Sequence, residues 1–180
     1  MRDWNVILTV APGPGRKSRL LRHLRRLGYF ESTEFKNVCL GNVGDTVLFL
    51  ETLRVGREND EAWLADLARA IPVEQTFSFE PESLTEQMKQ AVTPFVARMT
   101  GGTFYVRLER RGLPGQVMSQ EVERRVGEHL LRLAETMGKE LKVSFANPDY
   151  VVAAETVGTQ CGIALLNRAV RERCPFVLPH

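Results

Sequence analysis

The chain has 180 residues, of which 43% are hydrophobic and 26% charged, with a formal net charge of +2. These are the values of a soluble globular protein, long enough for one ordinary domain or two small ones with a buried core. No apolar run approaches the roughly 20 residues that a membrane-spanning helix needs, and a net charge this small does not by itself announce a nucleic-acid partner.

The opening MRDWNVILTV has neither the long apolar segment nor the small-residue cleavage site of a signal peptide, and it reads as a first strand from about Trp4 to Val10. Pro12-Gly13-Pro14-Gly15 breaks the chain, and a helix is expected from Lys17 to Leu27, with Leu20, Leu21, Leu24 and Leu27 on one stripe and Gly28 as terminator. Two strands, Glu34 to Leu40 and Thr46 to Leu53, are expected around the turn Gly41-Asn42-Val43-Gly44. A second helix over Asp60 to Ala70 carries Trp63, Leu64 and Leu67 inward. A last strand from Val73 to Phe79 completes the order β-α-β-β-α-β, that of a ferredoxin-like α+β sandwich over residues 1–80.

Pro81 marks the expected boundary to a second domain, 81–180. Ser83 and Glu86 have the spacing of a capping box that opens a helix running to Met99, and Gly101-Gly102 ends it. In TFYVRLERR the alternation sets Phe104, Val106 and Leu108 on one face and Tyr105, Arg107 and Glu109 on the other, so Thr103 to Arg111 reads as a strand that runs out at Gly112. A helix follows from Ser119 to Met137 with an apolar stripe of Val122, Val126, Leu130, Leu133 and Met137. Strands are expected at Leu141 to Phe145, Tyr150 to Thr156 and Cys161 to Leu166, with a turn at Asn147-Pro148-Asp149. The fold class is therefore mixed α+β: a ferredoxin-like sandwich, then helices on a mixed sheet.

The chemistry-bearing residues point to holding an anion rather than transforming one. Cys39, Cys161 and Cys174 are odd in number and form no CxxC pair, so a disulfide framework or zinc knuckle is not expected and a reducing cytoplasm is the default compartment. His23, His129 and His180 are scattered, with no nucleophile at motif spacing. APGPGRKS is not a P-loop: the pattern needs glycine where Ala11 and Arg16 stand, and only Lys17-Ser18 fit. No cofactor, metal site or catalytic residue is expected.

Basic residues are clustered. Six lie between Arg16 and Arg26 with no acid among them. Arg19, Arg22, Arg25 and Arg26 fall opposite the leucine stripe, which fits an RNA-tracking surface and a plain solvated face alike; Arg16 and Lys17 stand where a helix start meets a phosphate. Arg107, Arg110 and Arg111 end the strand, and a guanidinium's planar fork suits both phosphate and base. Tyr105 shares the face of Arg107. On the next helix, Glu121, Arg125, Glu128 and Arg132 have the spacing of mutual ion pairs, which leaves Arg124 as the binding candidate there.

Taken together, Val106 to Gly112 (VRLERRG), Ser119 to Gly127 (SQEVERRVG) and Lys142 to Val152 (KVSFANPDYVV), behind a ferredoxin-like domain, resemble a THUMP domain protein. The resemblance implies an RNA-binding module of tRNA-modifying systems. Most such proteins continue into a methyltransferase, thiouridine-forming or pseudouridine synthase domain. This chain stops after the module and so most resembles the stand-alone adaptors that present tRNA to a separate N4-acetylcytidine-forming acetyltransferase. The expectation is a non-catalytic, cytoplasmic tRNA-binding protein with a separate modifying enzyme as partner, contacting RNA through Arg107, Arg110, Arg111, Arg124, Tyr105, Arg16 and Lys17. Its alternatives are the recognition subunit of a separately encoded methylation or thiolation enzyme, and a ferredoxin-like regulatory or small-ligand domain with no RNA role.

Overall fold

The computed structural model describes residues 3–178, so His180 lies outside the described residues. It divides into two compact units, 1–73 with 169–180, and 74–168. The division departs from the expected boundary at residue 80. The segment around Gln75 to Ser78 pairs with a strand of the second unit, and the last residues of the chain return to the core of the first.

In the first unit, β1 (Val6–Val10) is an apolar, largely buried run that precedes the glycine-proline turn. Gly15 takes a left-handed φ of 70° and releases the chain into α1 (Arg16–Leu24), which buries Leu20 and Leu24. β2 (Tyr29–Ser32) and β3 (Val38–Asn42) form the hairpin, shifted from the expected 34–40 strand by a turn through left-handed Asn37. The strand expected over Thr46–Leu53 is instead the start of α2 (Thr46–Glu58). Its apolar run fits either structure locally, but the Asp45 carboxylate accepts the Leu48 N–H at 3.0 Å and caps a helix. Phe49, Leu50, Leu53 and Gly56 then fall on one buried face.

The helix expected over Asp60–Ala70 shrinks to a 3-10 turn, Ala62–Asp66, which still buries Trp63 and Leu64. Its second half is β4 (Leu67–Pro72), drawn out by pairing with β1 in the register Ile7↔Ile71. The sheet order is β2-β3-β1-β4 with every neighbouring pair antiparallel, which is the ferredoxin-like arrangement.

In the second unit, β5 (Gln75–Ser78) comes first, followed by α3 (Leu84–Val92) and α4 (Phe95–Arg98), separated at Pro94. The expected capping box does not form. Ser83 Oγ donates to the Glu80 carbonyl and to Gln87, and Glu86 pairs with Lys89. β6 (Gly102–Glu109) and α5 (Ser119–Thr136) follow the expected periodicities. Phe104, Val106 and Leu108 pack in one core with Val122, Val126 and Leu130. β7 (Leu141–Val143), β8 (Tyr150–Val157) and β9 (Gln160–Asn167) complete a mixed sheet in the order β5-β9-β8-β6-β7, with β6 parallel to both of its neighbours.

After α6 (Arg168–Arg173) and a 3-10 turn, Pro175–Val177, the chain places Cys174, Phe176 and Val177 in the first unit's core. Arg57 lies over the Phe176 ring, and Arg173 reaches Glu51 on α2. No helix among the described residues is long and apolar enough to cross a membrane.

Candidate functional site

The site of interest follows from how short β7 is. Its ladder with β6 covers Gly102, Thr103 and Phe104 and ends where Ser144 N–H donates to the Phe104 carbonyl at 3.0 Å. Alternation then turns the backbone groups of Val106 and Leu108 toward the same edge. Leu108 N–H is taken up by the Glu123 carboxylate of α5 at 2.8 Å. Between these two contacts the edge of β6 opens into a groove of about 480 Å³, walled by α5 on one side and by Val143 and Phe145, where the chain leaves β7, on the other.

The groove combines aromatic surface with guanidinium groups. Phe145 is 78% exposed and stands 5.5 Å from Tyr105, centroid to centroid, with a 31° tilt. Arg107 points into the same space. Its carboxylate neighbours Glu109 and Glu123 lie at 3.7 and 3.9 Å, beyond a normal hydrogen bond, so its donors are only loosely engaged. Arg124 and Gln120 line the α5 wall together with Glu123, Glu128 and Leu131. Arg124 bridges Glu121 and Glu128 at 2.9 and 2.7 Å, hydrogen bonds that raise its already high pKa. Arg125 instead reaches Glu86 of α3 at 3.3 Å, so the ion-pair ladder expected for Arg125 belongs to Arg124.

Other expected contact residues lie elsewhere. Arg111 forms an ion pair with Glu155 in which the two side chains are 11% and 1% exposed, and its N–H donates to Thr156 Oγ1. It knits the ends of β6 and β8 and does not line the groove. Arg110 donates to the Gly112 carbonyl in its own loop. In the first unit, Arg16 binds the Ala65 carbonyl at 2.8 Å and approaches Asp66, which itself accepts from Nε and Nη2 of Arg19. Lys17 bridges the carbonyls of Thr33 and Phe35. Arg16 and Lys17 are thus fasteners of the first unit's fold.

Asp149, the acid of the Asn147-Pro148-Asp149 turn, does more than turn the chain. Its carboxylate accepts the N–H and hydroxyl of Thr103 at 2.8 and 3.2 Å, and so pins the start of β6. Gly102, at φ 103°, passes so close that a Cβ there would lie 2.2 Å from the Asp149 carboxylate. The three cysteines are buried, and burial pushes Cys39 up to about 11 and Cys161 and Cys174 upward as well, so none is a thiolate near neutral pH. Among the described residues no group of three or more His, Cys, Asp or Glu could hold a metal ion.

Phe145 and Glu123 escaped sequence reasoning. Phe145 is a lone aromatic past the end of a short strand, and nothing local signals its exposure. The partner of Glu123 lies fifteen residues away on another element.

Comparison with solved proteins places this architecture. PH1313 from Pyrococcus horikoshii Ot3 superposes with a TM-score of 0.59 at 13% identity, over 90% of this chain and 54% of that one. A 4-thiouridine synthetase, solved as an RNA complex with bound ATP, gives 0.61 at 17% identity over 91% of this chain and 41% of its own. TrmN from Thermus thermophilus gives 0.60 at 20% identity over 91% and 45%. At these identities the likeness is one of fold, and the chain spans about half the length of these proteins or less. No curated protein sequence matches the chain significantly. Residues 80–166 match the family model described as THUMP domain, which covers the groove on every side, and the chain accordingly carries a THUMP domain.

Proposed function

We propose that this chain binds RNA, and specifically that it holds an unpaired stretch of tRNA in the groove along the open edge of β6 for a separate modification enzyme. One observation carries the RNA reading: an aromatic pair, the exposed Phe145 and the half-buried Tyr105, shares a groove with the loosely engaged Arg107. Unstacked bases are held by aromatic faces and guanidinium planes, and duplex RNA offers neither access nor free base faces. The groove thus suits a single-stranded end or loop. Arg107 is assigned to phosphate or base edges, whereas Arg124, held by Glu121 and Glu128, and Arg111, Arg16 and Lys17 are withdrawn from the contact set because their donors are already engaged.

THUMP domains are RNA-binding modules, and the match at 80–166 supports the same reading. The chain is assigned no catalysis of its own and acts as an adaptor, with N4-acetylcytidine formation as the first modification to examine. Mass-spectrometric nucleoside profiling of tRNA from cells lacking the protein tests this. Loss of acetylcytidine supports the adaptor role. Loss of a methylated or thiolated nucleoside transfers the partnership to that enzyme, and an unchanged profile refutes a role in modification.

A further inference from the structure

Each guanidinium that lines the β6 groove stands between two carboxylates, and the two are held differently. Arg124 meets Glu121 at 2.9 Å and Glu128 at 2.7 Å, hydrogen-bonding distances that use its donors. Arg107 lies 3.7 Å from Glu109 and 3.9 Å from Glu123. Coulomb attraction falls off slowly with separation, whereas a hydrogen bond is lost beyond about 3.5 Å. At those distances the two carboxylates offset the charge of Arg107 and leave its N–H groups unused. Its Nε is buried and, among the described residues, has no hydrogen-bond partner. Glu123 is turned to the strand instead: its Oε1 accepts the Leu108 N–H at 2.8 Å. Four carboxylates thus surround two guanidiniums, and the charged side chains that line the groove itself, Arg107, Arg124, Glu123 and Glu128, cancel.

We propose that this groove takes the uncharged part of an RNA, a nucleobase, and keeps phosphate out, with Glu109 and Glu123 as the residues that set the preference. The inference rests on the RNA reading of the groove and narrows it: Arg107 donates to a ring nitrogen or carbonyl oxygen of a base and not to a phosphate. A site that neutralises phosphate needs cations in excess. Here a phosphate at Arg107 would bring a third negative group onto a guanidinium that already has two beside it. A base carries no formal charge and meets no such repulsion, and its edge offers acceptors to the unused N–H groups. Tyr105 and Phe145, with Val143 and Leu131 on the walls, supply a flat and largely apolar surface for the ring. The groove therefore contributes recognition that depends little on salt, the opposite of a basic face that tracks phosphates.

The test uses the full chain, an Arg107→Gln variant, a Glu109→Gln, Glu123→Gln variant, and one probe, a short single-stranded RNA, with affinity measured across a salt series. Arg107→Gln is expected to weaken binding about 10- to 150-fold, the range for hydrogen bonds from a charged group, and to keep the wild-type slope of log affinity against log salt. A phosphate contact would instead flatten that slope by about 0.7. The double glutamine variant frees Arg107 from both negative neighbours, while the amide oxygen of glutamine can still accept the Leu108 N–H. Its slope is expected to steepen by up to about 0.7, as one phosphate moves onto Arg107. Melting of this variant should stay within a few degrees of wild type, which separates loss of charge from loss of fold.

A slope flattened by Arg107→Gln puts a phosphate in the groove and overturns the proposal, while the RNA reading stands. Unchanged affinity in Arg107→Gln overturns it too, and so does a double variant that melts like wild type and keeps the wild-type slope. If the double variant melts far below wild type, the Arg107→Gln slope decides alone. Wild-type protein that does not bind the single strand at any salt refutes the RNA reading of the groove and the proposal with it.

Discussion

Phe145→Ala separates binding from folding more cleanly than any other single change in the groove. The side chain is 78% exposed, so its removal opens no cavity and forfeits little buried area. The contact it does make is the tilted pairing with Tyr105 at 5.5 Å, and such pairs contribute about 0.5 to 1.5 kcal/mol beyond burial when well packed. At this exposure the stability cost falls at the low end, about 0.5 kcal/mol, which shifts a melting midpoint by only a few degrees. Stacking of a base on an aromatic side chain is worth about 1 to 3 kcal/mol by alanine substitution. Affinity for an RNA with an unpaired 3′ tail should therefore fall about 5- to 150-fold while melting is nearly unchanged. Fluorescence anisotropy with a labelled tailed stem-loop, beside the same stem-loop made blunt, reads this directly. Binding of the tailed RNA within twofold of wild type would show that no base rests on Phe145, and the single-strand assignment of the groove would fall with it.

Three further outcomes follow from the ion pairs and the returning tail. Arg111→Met breaks the pair with the nearly fully buried Glu155, so it should destabilise the chain by about 3 kcal/mol in denaturant titration while leaving the salt slope of RNA binding unchanged. Phe176→Ala empties a position 3% exposed in the first unit's core and removes the ring beneath Arg57. A loss of about 3 to 5 kcal/mol is expected, with hydrogen exchange accelerated in β4 and α2. Glu51 is held down to about 2 by hydrogen bonds from Arg54 and then Arg173. A depressed carboxylate stabilises fully above its unfolded value of 4.5 and loses that contribution as pH falls toward 2; melting of wild type and Glu51→Gln should thus differ at pH 6 and converge near pH 2.

How much of this was legible beforehand varied with the length of a segment and the reach of its contacts. The eighteen residues of α5 and the alternation of β6 carry their periods within themselves, while β8 and β9 are continuous, mostly apolar runs buried along nearly their whole length, and all four fold close to where the sequence places them. Thr46–Leu53 does not. TVLFLETL is apolar and partly β-branched, and the Asp45 cap on Leu48 N–H together with burial of Phe49, Leu50 and Leu53 on one face goes with a helix there. Asp60–Ala70 misled in the other direction. Trp63, Leu64 and Leu67 have helical spacing, but pairing with β1 pulls residues from Leu67 onward into a strand. Return of Cys174, Phe176 and Val177 to the first core had no local sign, because a short apolar tail looks the same whichever core receives it.

The arginines make the same point about charge. Counting them along the sequence marked Arg16, Lys17 and Arg111 as binding residues, yet each meets an acceptor far away in the chain: the Ala65 carbonyl, the carbonyls of Thr33 and Phe35, and Glu155. A basic side chain is available to a ligand only when the fold leaves it short of acceptors, and that is a three-dimensional property. By this criterion Arg107, whose carboxylate neighbours stand off beyond hydrogen-bond range, remains available in the groove, whereas Arg124, held by both Glu121 and Glu128, does not; Arg22, Arg25 and Arg132 are exposed and likewise have no hydrogen bond or ion pair among the described residues.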